Sequence, residues 1–247
     1  MTKKEPLVIY WAPEVLSSNV DHPNWNMMYS EPTNLFTELM HLKSKTSGFT
    51  SYLMCPATTD RLKNMFTFRN SIPTSVTYKV LEDESVEIIS EPFGINVYSP
   101  RPSALKGGAM LAVDLLYYFF CEESVLGLIN APMFHPPKYT NYGTIISGGF
   151  DLSKWFRPFS TELQMWDSSG IFKLEKDEPI FYLEVITDRP IILKRFTMTP
   201  LLNKYAKACV EHPSYFGRFK PLSQRYEQFL ATRTNELVLK EIKKNLL

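Results

Sequence analysis

Cysteine and histidine are scarce in this chain, and their spacing suits neither a disulfide framework nor a metal site. The three cysteines, Cys55, Cys121 and Cys209, are odd in number and far apart, with no Cys-x-x-Cys pair. The four histidines show no His-x-Asp or His-x-x-x-His spacing. We therefore expect no metal and no cofactor. We also expect reduced and mostly buried thiols, with Cys55 in the core, as is typical of a cytoplasmic protein.

Long runs of one residue class are also missing. Acidic and basic residues are interleaved and give a formal net charge of +1, so no basic stripe exists for generic nucleic-acid binding. The longest apolar run, "AMLAVDLLYYFFC" at 109–121, contains Asp114 and is too short to span a membrane. The N-terminal apolar run is broken by Pro13 and Glu14, which makes it too short for a signal peptide. The sequence predicts a soluble protein that stays in the cytoplasm.

No motif in the chain fixes a reaction. There is no Gly-x-Ser-x-Gly elbow, and no cysteine has a basic neighbour that would lower its pKa. The Lys-Gly-Gly of "LKGGAM" at 105–110 could bind an anion through its amides, but this pattern is more typical of a hairpin turn. Whether the protein is an enzyme therefore stays open at this point.

Aromatic residues and proline, in contrast, are abundant. Aromatic residues form 14% of the chain, and 18 prolines accompany only 10 glycines, which favours many strands joined by rigid turns. Short β-rich runs bounded by turn residues fill residues 51–198, among them "SYLMC", "MFTFR", "AMLAVDLLYYFFC", "TELQMW" and "PIFYLEVI". This spacing predicts a mainly β protein, an antiparallel β-sandwich such as a jelly roll, or a barrel.

Period-two patterning gives one specific pairing around the "DSSG" turn at 167–170. Residues 159–167 and 170–187 are predicted to form adjacent antiparallel strands. The inward side chains in this prediction are Phe159, Leu163, Met165, Phe181 and Leu183.

Helices are predicted at both ends of the chain. "PTNLFTELMHLKSK" has apolar residues at helical spacing and predicts a short helix near 32–43, with Pro32 in its first turn. Thr199-Pro200 predicts the start of one C-terminal helix, and Pro221 that of a second, which runs to the C-terminus. We therefore expect a β-sandwich domain over 1–198 and a helical extension over 199–247 packed on it.

The stretch "GGFDLSKWFRPFSTELQMW" at 148–166 concentrates candidate binding residues. Tryptophan beside a carboxylate and an arginine at a sheet edge could form a stacking pocket for a base or a sugar. With the preceding loop, the candidate ligand-binding set is His135, Tyr139, Tyr142, Asp151, Trp155, Arg157 and Trp166. In the favoured alternative, Trp155 and Trp166 fill the ends of the sandwich, and Asp151–Arg157 is a pair that stabilises the turn.

Residues 143–187 resemble the second half of the dUTPase and dCTP-deaminase fold. Gly148, Asp151 and Trp155 are followed by a strand and by "GIFKLEKDEPIFYLEVI", in which Asp177 stands where that family has glycine. The resemblance implies that Asp151 orients water and deoxyribose and that Trp155 stacks on the base. The family's Arg-Ser-Gly motif and glycine-rich C-terminal arm are missing from this sequence, so the resemblance implies the fold and not the activity. With the strand spacing, it leads us to expect an antiparallel β-sandwich of jelly-roll or dUTPase-like β-clip type.

A second resemblance covers more of the chain. "PNWN", "YLMCPATTDRLKNMFTF", "FFCEE" and "GGFDLSKWF" are similar to an uncharacterised family of bacterial and tailed-phage proteins, including those of marine myophages. A phage-encoded chain would act in the host cytoplasm. The combined hypothesis is a non-catalytic binding or assembly protein. The alternative is an enzyme for a nucleotide-like small molecule, with its pocket around Asp151 and Trp155.

The last helix also predicts a partner. Its three consecutive apolar residues, Leu237 to Leu239, are more than one buried stripe requires. A homo-oligomer with this helix near its interface would cover the excess, although packing between the two C-terminal helices could also hide it.

Overall fold

The computed structural model describes residues 4–13, 29–45, 51–70, 73–90, 97–102, 108–114, 117–135, 137–154, 156–210 and 222–247. These residues form a mainly β structure, as predicted. The strands are β1 (Leu7–Pro13), β2 (Thr33–Asn34), β3 (Met65–Arg69), β4 (Thr74–Val80), β5 (Val86–Ser90), β6 (Val97–Pro102), β7 (Ala109–Asp114), β8 (Tyr117–Cys121), β9 (Leu126–Asn130), β10 (Gly143–Ile145), β11 (Gly148–Asp151), β12 (Ser160–Met165), β13 (Ser169–Leu174), β14 (Pro179–Val185) and β15 (Ile191–Arg195). The helices are α1 (Leu35–Lys45), α2 (Pro56–Lys63), α3 (Pro200–Val210), α4 (Leu222–Ala231) and α5 (Thr234–Lys244), with 3₁₀ helices at Ser51–Met54 and Lys138–Asn141.

The strands are arranged in four sheets. Sheet A has the order β15-β1-β8, sheet B the order β11-β9-β14-β3-β2, sheet C the order β13-β4-β5 and sheet D the order β10-β12-β7-β6. Strands β1 and β15 run parallel, with Leu7 opposite Ile191. The other strand pairs among the described residues are antiparallel.

All four sheets contribute side chains to one large hydrophobic core. Phe68 lies near its centre, where its ring stacks on Phe181 at 4.7 Å between centroids and meets Phe119 edge-on at 5.2 Å. The five side chains predicted to point inward are all buried, namely Phe159, Leu163, Met165, Phe181 and Leu183. Period-two alternation therefore identified the core-facing side of these strands correctly.

The predicted pairing of 159–167 with 170–187 is wrong. Residues 170–187 contain two strands, β13 and β14, and neither pairs with β12. After Trp166 the chain crosses to sheet C, where the amide of Val80 donates to the carbonyl of Ser168 at 2.6 Å and β13 pairs with β4. Between β13 and β14, Asp177 has a left-handed backbone with φ of 63°, which breaks the extended chain.

The C-terminal helices cover the second face of sheet A. Their apolar residues Leu202, Phe229 and Val238 form a second core with Tyr118 and Phe120 of β8. The predicted cap at Thr199 is confirmed, because its hydroxyl accepts the amide of Leu202 at 3.1 Å. The single helix predicted from Pro221 is wrong. The described part of this region contains α4 and α5, which are separated at Arg233, where φ is 54°.

The region around residues 51–63 also differs from the prediction. "SYLMC" is not a strand but a 3₁₀ helix that leads into α2, where Pro56 occupies the first turn. Cys55 caps this helix and is exposed, so its predicted place in the core is wrong. Helices α1 and α2 lie against the second face of sheet B, where Leu39 and Leu62 form a third core with Tyr182.

Two other predicted segments are refined. The run at 109–121 is divided into β7 and β8, which belong to different sheets. Helix α1 begins after Asn34, whose side-chain oxygen accepts the amide of Thr37 at 3.1 Å, so Pro32 precedes the helix. None of the helices among the described residues has the length and apolar character needed to cross a membrane.

Candidate functional site

The predicted binding residues belong to several separate sets of contacts. Trp155 lies outside the described residues. Asp151 is at the end of β11, Arg157 faces the C-terminal helices, and Tyr139 is in the main core. His135 contacts α1 and β14, and Tyr142 is joined by backbone hydrogen bonds to both Tyr139 and Trp166. The sequence therefore predicted one constellation where the fold makes several environments.

Asp151 holds a tight turn together. Its Oδ1 accepts the amide of Ser153 at 2.9 Å and the Ser153 hydroxyl at 2.7 Å. Its Oδ2 accepts the Ser124 hydroxyl at 2.6 Å and lies 2.9 Å from the ammonium of Lys154. Partial burial raises the pKa of this carboxyl, but the hydrogen bonds from Ser124, Ser153 and Lys154 outweigh it and bring the pKa down to about 2. The ion-pair partner of Asp151 is thus Lys154, not the predicted Arg157.

Arg157 lies beside the C-terminal helices. Burial raises the pKa of Cys209 in α3 to about 11 and that of Tyr226 in α4 to about 12, and the positive charge of Arg157 opposes both shifts. Arg157 is therefore close to these two side chains of the C-terminal helices.

His135 belongs to a polar layer between sheet B and helix α1. Its Nδ1 lies 2.8 Å from the Tyr182 hydroxyl, and its Nε2 lies 3.4 Å from Oε1 of Glu38. Glu38 also pairs with Arg69 and accepts the Thr33 hydroxyl at 3.0 Å. Burial, together with the charge of Arg69, lowers the pKa of His135, so the imidazole is neutral at pH 7.

The polar layer continues beneath helix α2. Arg61 donates two hydrogen bonds to the carboxylate of Glu184, at 2.5 and 2.7 Å, and Asn130 donates a third at 2.7 Å. Glu184 is buried, and this bidentate geometry compensates for the removal of its charge from water. The side chains of the polar layer thus connect helices α1 and α2 to sheet B through hydrogen bonds and ion pairs.

A shallow cavity of about 400 Å³ opens beside the polar layer on helix α1. It is lined by Thr33, Asn34, Thr37, Glu38, His41 and Leu42. Glu38 connects this cavity with His135 and Tyr182 behind it. The Nε2 of His135 makes no hydrogen bond to Glu38, whose carboxylate receives hydrogen bonds from Thr33 and Arg69 instead.

Tyr139, Tyr142 and Trp166 have different surroundings although they lie in one part of the fold. Tyr139 is buried, with its hydroxyl donating to the carbonyl of Ile180 at 2.9 Å and its ring 5.4 Å from that of Phe172. Tyr142 and Trp166 are 48% and 45% exposed, and the amide of Trp166 donates to the carbonyl of Tyr142 at 2.8 Å. Trp166 therefore does not fill the end of a core.

Sequence reasoning missed most of the polar layer. Glu38, Arg61 and Arg69 are separated from Tyr182 and Glu184 by more than a hundred residues, so only the fold brings them together. One local signal was available: Glu184 is the only charged residue of β14, a strand that is buried along its whole length. A carboxylate in such a strand needs a cationic partner.

Comparison with known proteins adds no family to this description: no protein-family model, no curated protein and no solved structure matches the chain. Within the part of the chain that the structure describes, no three histidine, cysteine, aspartate or glutamate side chains are grouped as metal ligands.

Proposed function

We propose that the protein is a non-catalytic binding or assembly protein. The observation that carries the proposal is the exposure of Tyr142 and Trp166, two large aromatic residues whose backbones are hydrogen-bonded and which have about half of their surface in water. Neighbouring exposed aromatic residues on a rigid support are typical of binding surfaces, because they offer a large contact area with few rotatable bonds.

The ionisable groups support a structural rather than a catalytic role. Asp151 is engaged by Ser124, Ser153 and Lys154, and Glu184 by Arg61 and Asn130. A catalytic carboxylate needs an oxygen that can reach substrate, and a base among these groups would have to break internal contacts first. The same reasoning gives less support to the alternative, an enzyme for a nucleotide-like molecule with its pocket around Asp151 and Trp155.

The same proposal includes the type of β-sandwich, the origin of the protein and its oligomeric state. The common core of sheets A to D supports a β-sandwich of jelly-roll or dUTPase-like type, with the C-terminal helices packed on one face. The resemblance to bacterial and tailed-phage proteins supports a phage origin and a site of action in the host cytoplasm. We also propose a homo-oligomer, since Leu237 and Leu247 on and beyond helix α5 are 48% and 78% exposed.

The function is tested by recovering bound molecules with the full chain. Mass spectrometry of material co-purifying with the wild type, with Trp166→Ala and with Ile171→Ala compares the aromatic pair with an exposed apolar residue of sheet C. We expect ligands or subunits that are retained by the wild type and Ile171→Ala and lost with Trp166→Ala. Identical recovery from all three proteins, or turnover of a recovered small molecule, would contradict the proposal.

A further inference from the structure

The ring of His135 makes specific contacts on both sides of the polar layer between helix α1 and sheet B. Its Nδ1 is 2.8 Å from the hydroxyl oxygen of Tyr182 on β14. Its Nε2 is 3.4 Å from Oε1 of Glu38 on α1, and this nitrogen is buried without a hydrogen-bond partner. The side chain as a whole is 16% exposed. A change in the charge of this ring therefore acts on the helix and on the sheet together.

The ionisable groups that face His135 within the described residues come from three elements. Helix α1 contributes Glu38, strand β3 contributes Arg69, and strand β14 contributes Tyr182. Arg69 donates to Oε1 of Glu38, the same oxygen that lies 3.4 Å from Nε2 of His135. One carboxylate oxygen thus lies between a permanent cation and an imidazole that becomes a cation when it is protonated.

The Tyr182 hydroxyl determines what a second proton on the ring requires. Its oxygen accepts the amide of Phe134 at 3.2 Å, and its distance to Nδ1 of His135 is that of a hydrogen bond. A neutral imidazole has one donor and one acceptor nitrogen, whereas both nitrogens of an imidazolium donate. A protonated His135 therefore needs an acceptor at each end, and these acceptors are the Tyr182 oxygen and the Glu38 carboxylate.

The Glu38 carboxylate is already part of the connection between α1 and sheet B. It accepts hydrogen bonds from Arg69 on β3 and from the Thr33 hydroxyl at 3.0 Å. The guanidinium of Arg69 also donates to the carbonyl of Asp177 at 2.6 Å, which fixes it on the sheet. Two cations that share one partly buried carboxylate repel each other. Protonation of His135 therefore weakens the ion pair that joins α1 to β3.

Helix α1 has few other buried contacts with the sheet. The third core holds it through Leu35 and Leu39, with Phe36 partly buried beside them. Met40 and Leu42 of the same helix are exposed. A segment with few buried side chains opens at a low cost in free energy. We therefore expect α1, and not strands β3 and β14, to move when the ion pair weakens.

Thermodynamic linkage gives the direction and the size of the effect. Burial and the positive charge of Arg69 lower the pKa of His135 from its ordinary value of 6.5, so the imidazole binds a proton more tightly when the helix is open. Protons therefore favour the open form below pH 6.5. At pH 5.5 an imidazole with the ordinary pKa is protonated about ten times more often than it is neutral. The population of the open form thus increases by at most about tenfold.

We propose that the contact between helix α1 and sheet B is a pH-sensitive device, in which a proton on His135 draws Glu38 away from Arg69 and releases the helix. The open form exposes the third core while the other two cores stay closed. This inference goes beyond the proposed binding function and does not depend on it.

Hydrogen–deuterium exchange of the full chain at pH 7.5 and 5.5 tests the proposal, after correction for the pH dependence of intrinsic amide exchange. We expect exchange in residues 35–45 to increase several-fold, and at most about tenfold, relative to residues 234–244 of α5, which contain no histidine. His135→Gln should abolish the increase, because glutamine binds no proton. His41→Gln replaces the other histidine of this region and should retain it.

An NMR titration of the wild type follows the His135 ring directly, so the test does not depend on the folding of a variant. We expect the ring to titrate below pH 6.5 and the amides of α1 to shift with the same midpoint. Equal protection of α1 at both pH values, or an increase in exchange that His135→Gln leaves unchanged, would overturn the inference. A ring midpoint at or above pH 6.5, or faster exchange confined to residues 131–135, would also overturn it.

Discussion

Single residues of this protein differ mainly in where their polar atoms find partners. Asp151 and Trp166 lie in the same segment of sequence, yet the carboxylate is engaged within its own turn and the indole ring is open to solvent. A stretch rich in chemically versatile residues can thus contain one residue that stabilises a turn and another that stays exposed.

Replacing Asp151 tests how much its turn contributes to stability. We expect Asp151→Ala to lower the free energy of unfolding by about 2 kcal/mol, because it removes a charged acceptor of several hydrogen bonds. The folded-state pKa is about 2, against an ordinary value of 3.8. The stabilisation is therefore complete above pH 3.8 and is lost as the pH falls towards 2. Urea unfolding at pH 7 and pH 3 measures both effects.

Lys154→Ala is the control for this variant. It removes only the partly exposed ion pair with Asp151 and leaves the hydrogen bonds from Ser124 and Ser153. We expect a loss below about 1 kcal/mol. An equal loss from both variants would show that the ion pair, and not the set of hydrogen bonds, stabilises the turn.

His135 also makes stability fall at low pH, but through its neutral form. Burial and Arg69 lower its pKa from the ordinary value of 6.5, so folding favours the neutral imidazole and the unfolded chain binds more protons. Stability should therefore fall as the pH drops below about 6.5. In His135→Gln, urea unfolding between pH 7.5 and 5 should show a smaller decrease than in the wild type. Equal pH dependence of the two proteins would contradict this explanation.

Secondary elements show which information is local in the sequence and which is not. Alternation in "FSTELQMW" identified the buried side of β12, because the polarity of each side chain reports the face on which it lies. The partner of that strand was not predictable, since pairing with β7 and β10 depends on contacts distant in sequence. The cap at Thr199 was predictable because a cap is a short-range hydrogen bond.

The missed break between α4 and α5 has a physical cause as well. Helix breaks are recognised by glycine or proline, but here the left-handed residue is Arg233. The polar layer was not predicted for a related reason. The polar layer joins Glu38, Arg69, His135 and Tyr182 from four separate elements, and no short motif marks it.

The same break offers a test at the level of the helices. A residue other than glycine in the left-handed region costs about 1 kcal/mol, and Arg233 has φ of 54°. We expect Arg233→Gly to raise the midpoint of urea unfolding relative to Arg233→Ala. Both variants lose the exposed ion pair with Glu236, so their difference isolates the backbone term. A less stable glycine variant would show that flexibility of the unfolded chain outweighs the relief of strain.

At the scale of the whole molecule, the described residues form three cores that share sheets. The main core joins sheets A to D, and each of the other two cores joins helices to the second face of a sheet. The C-terminal helices are thus integral to the packing, since Val238 and Ile242 are fully buried against the same core as Tyr118. Removing the helices would expose that core.

This arrangement decides how the proposed homo-oligomer should be tested. A chain shortened near Lys220 would lose Val238 and Ile242 from the core, so its behaviour would report misfolding as well as assembly.

Leu237 is a better position for testing the oligomer, because it is 48% exposed beside buried Val238 on helix α5. We expect multi-angle light scattering at tens of micromolar to give a dimer for the wild type and a monomer for Leu237→Glu. Leu201→Glu, at an exposed position on helix α3, is the matched control and should remain dimeric. A monomeric wild type would refute the oligomer, and a dimer that Leu237→Glu leaves intact would place the interface elsewhere.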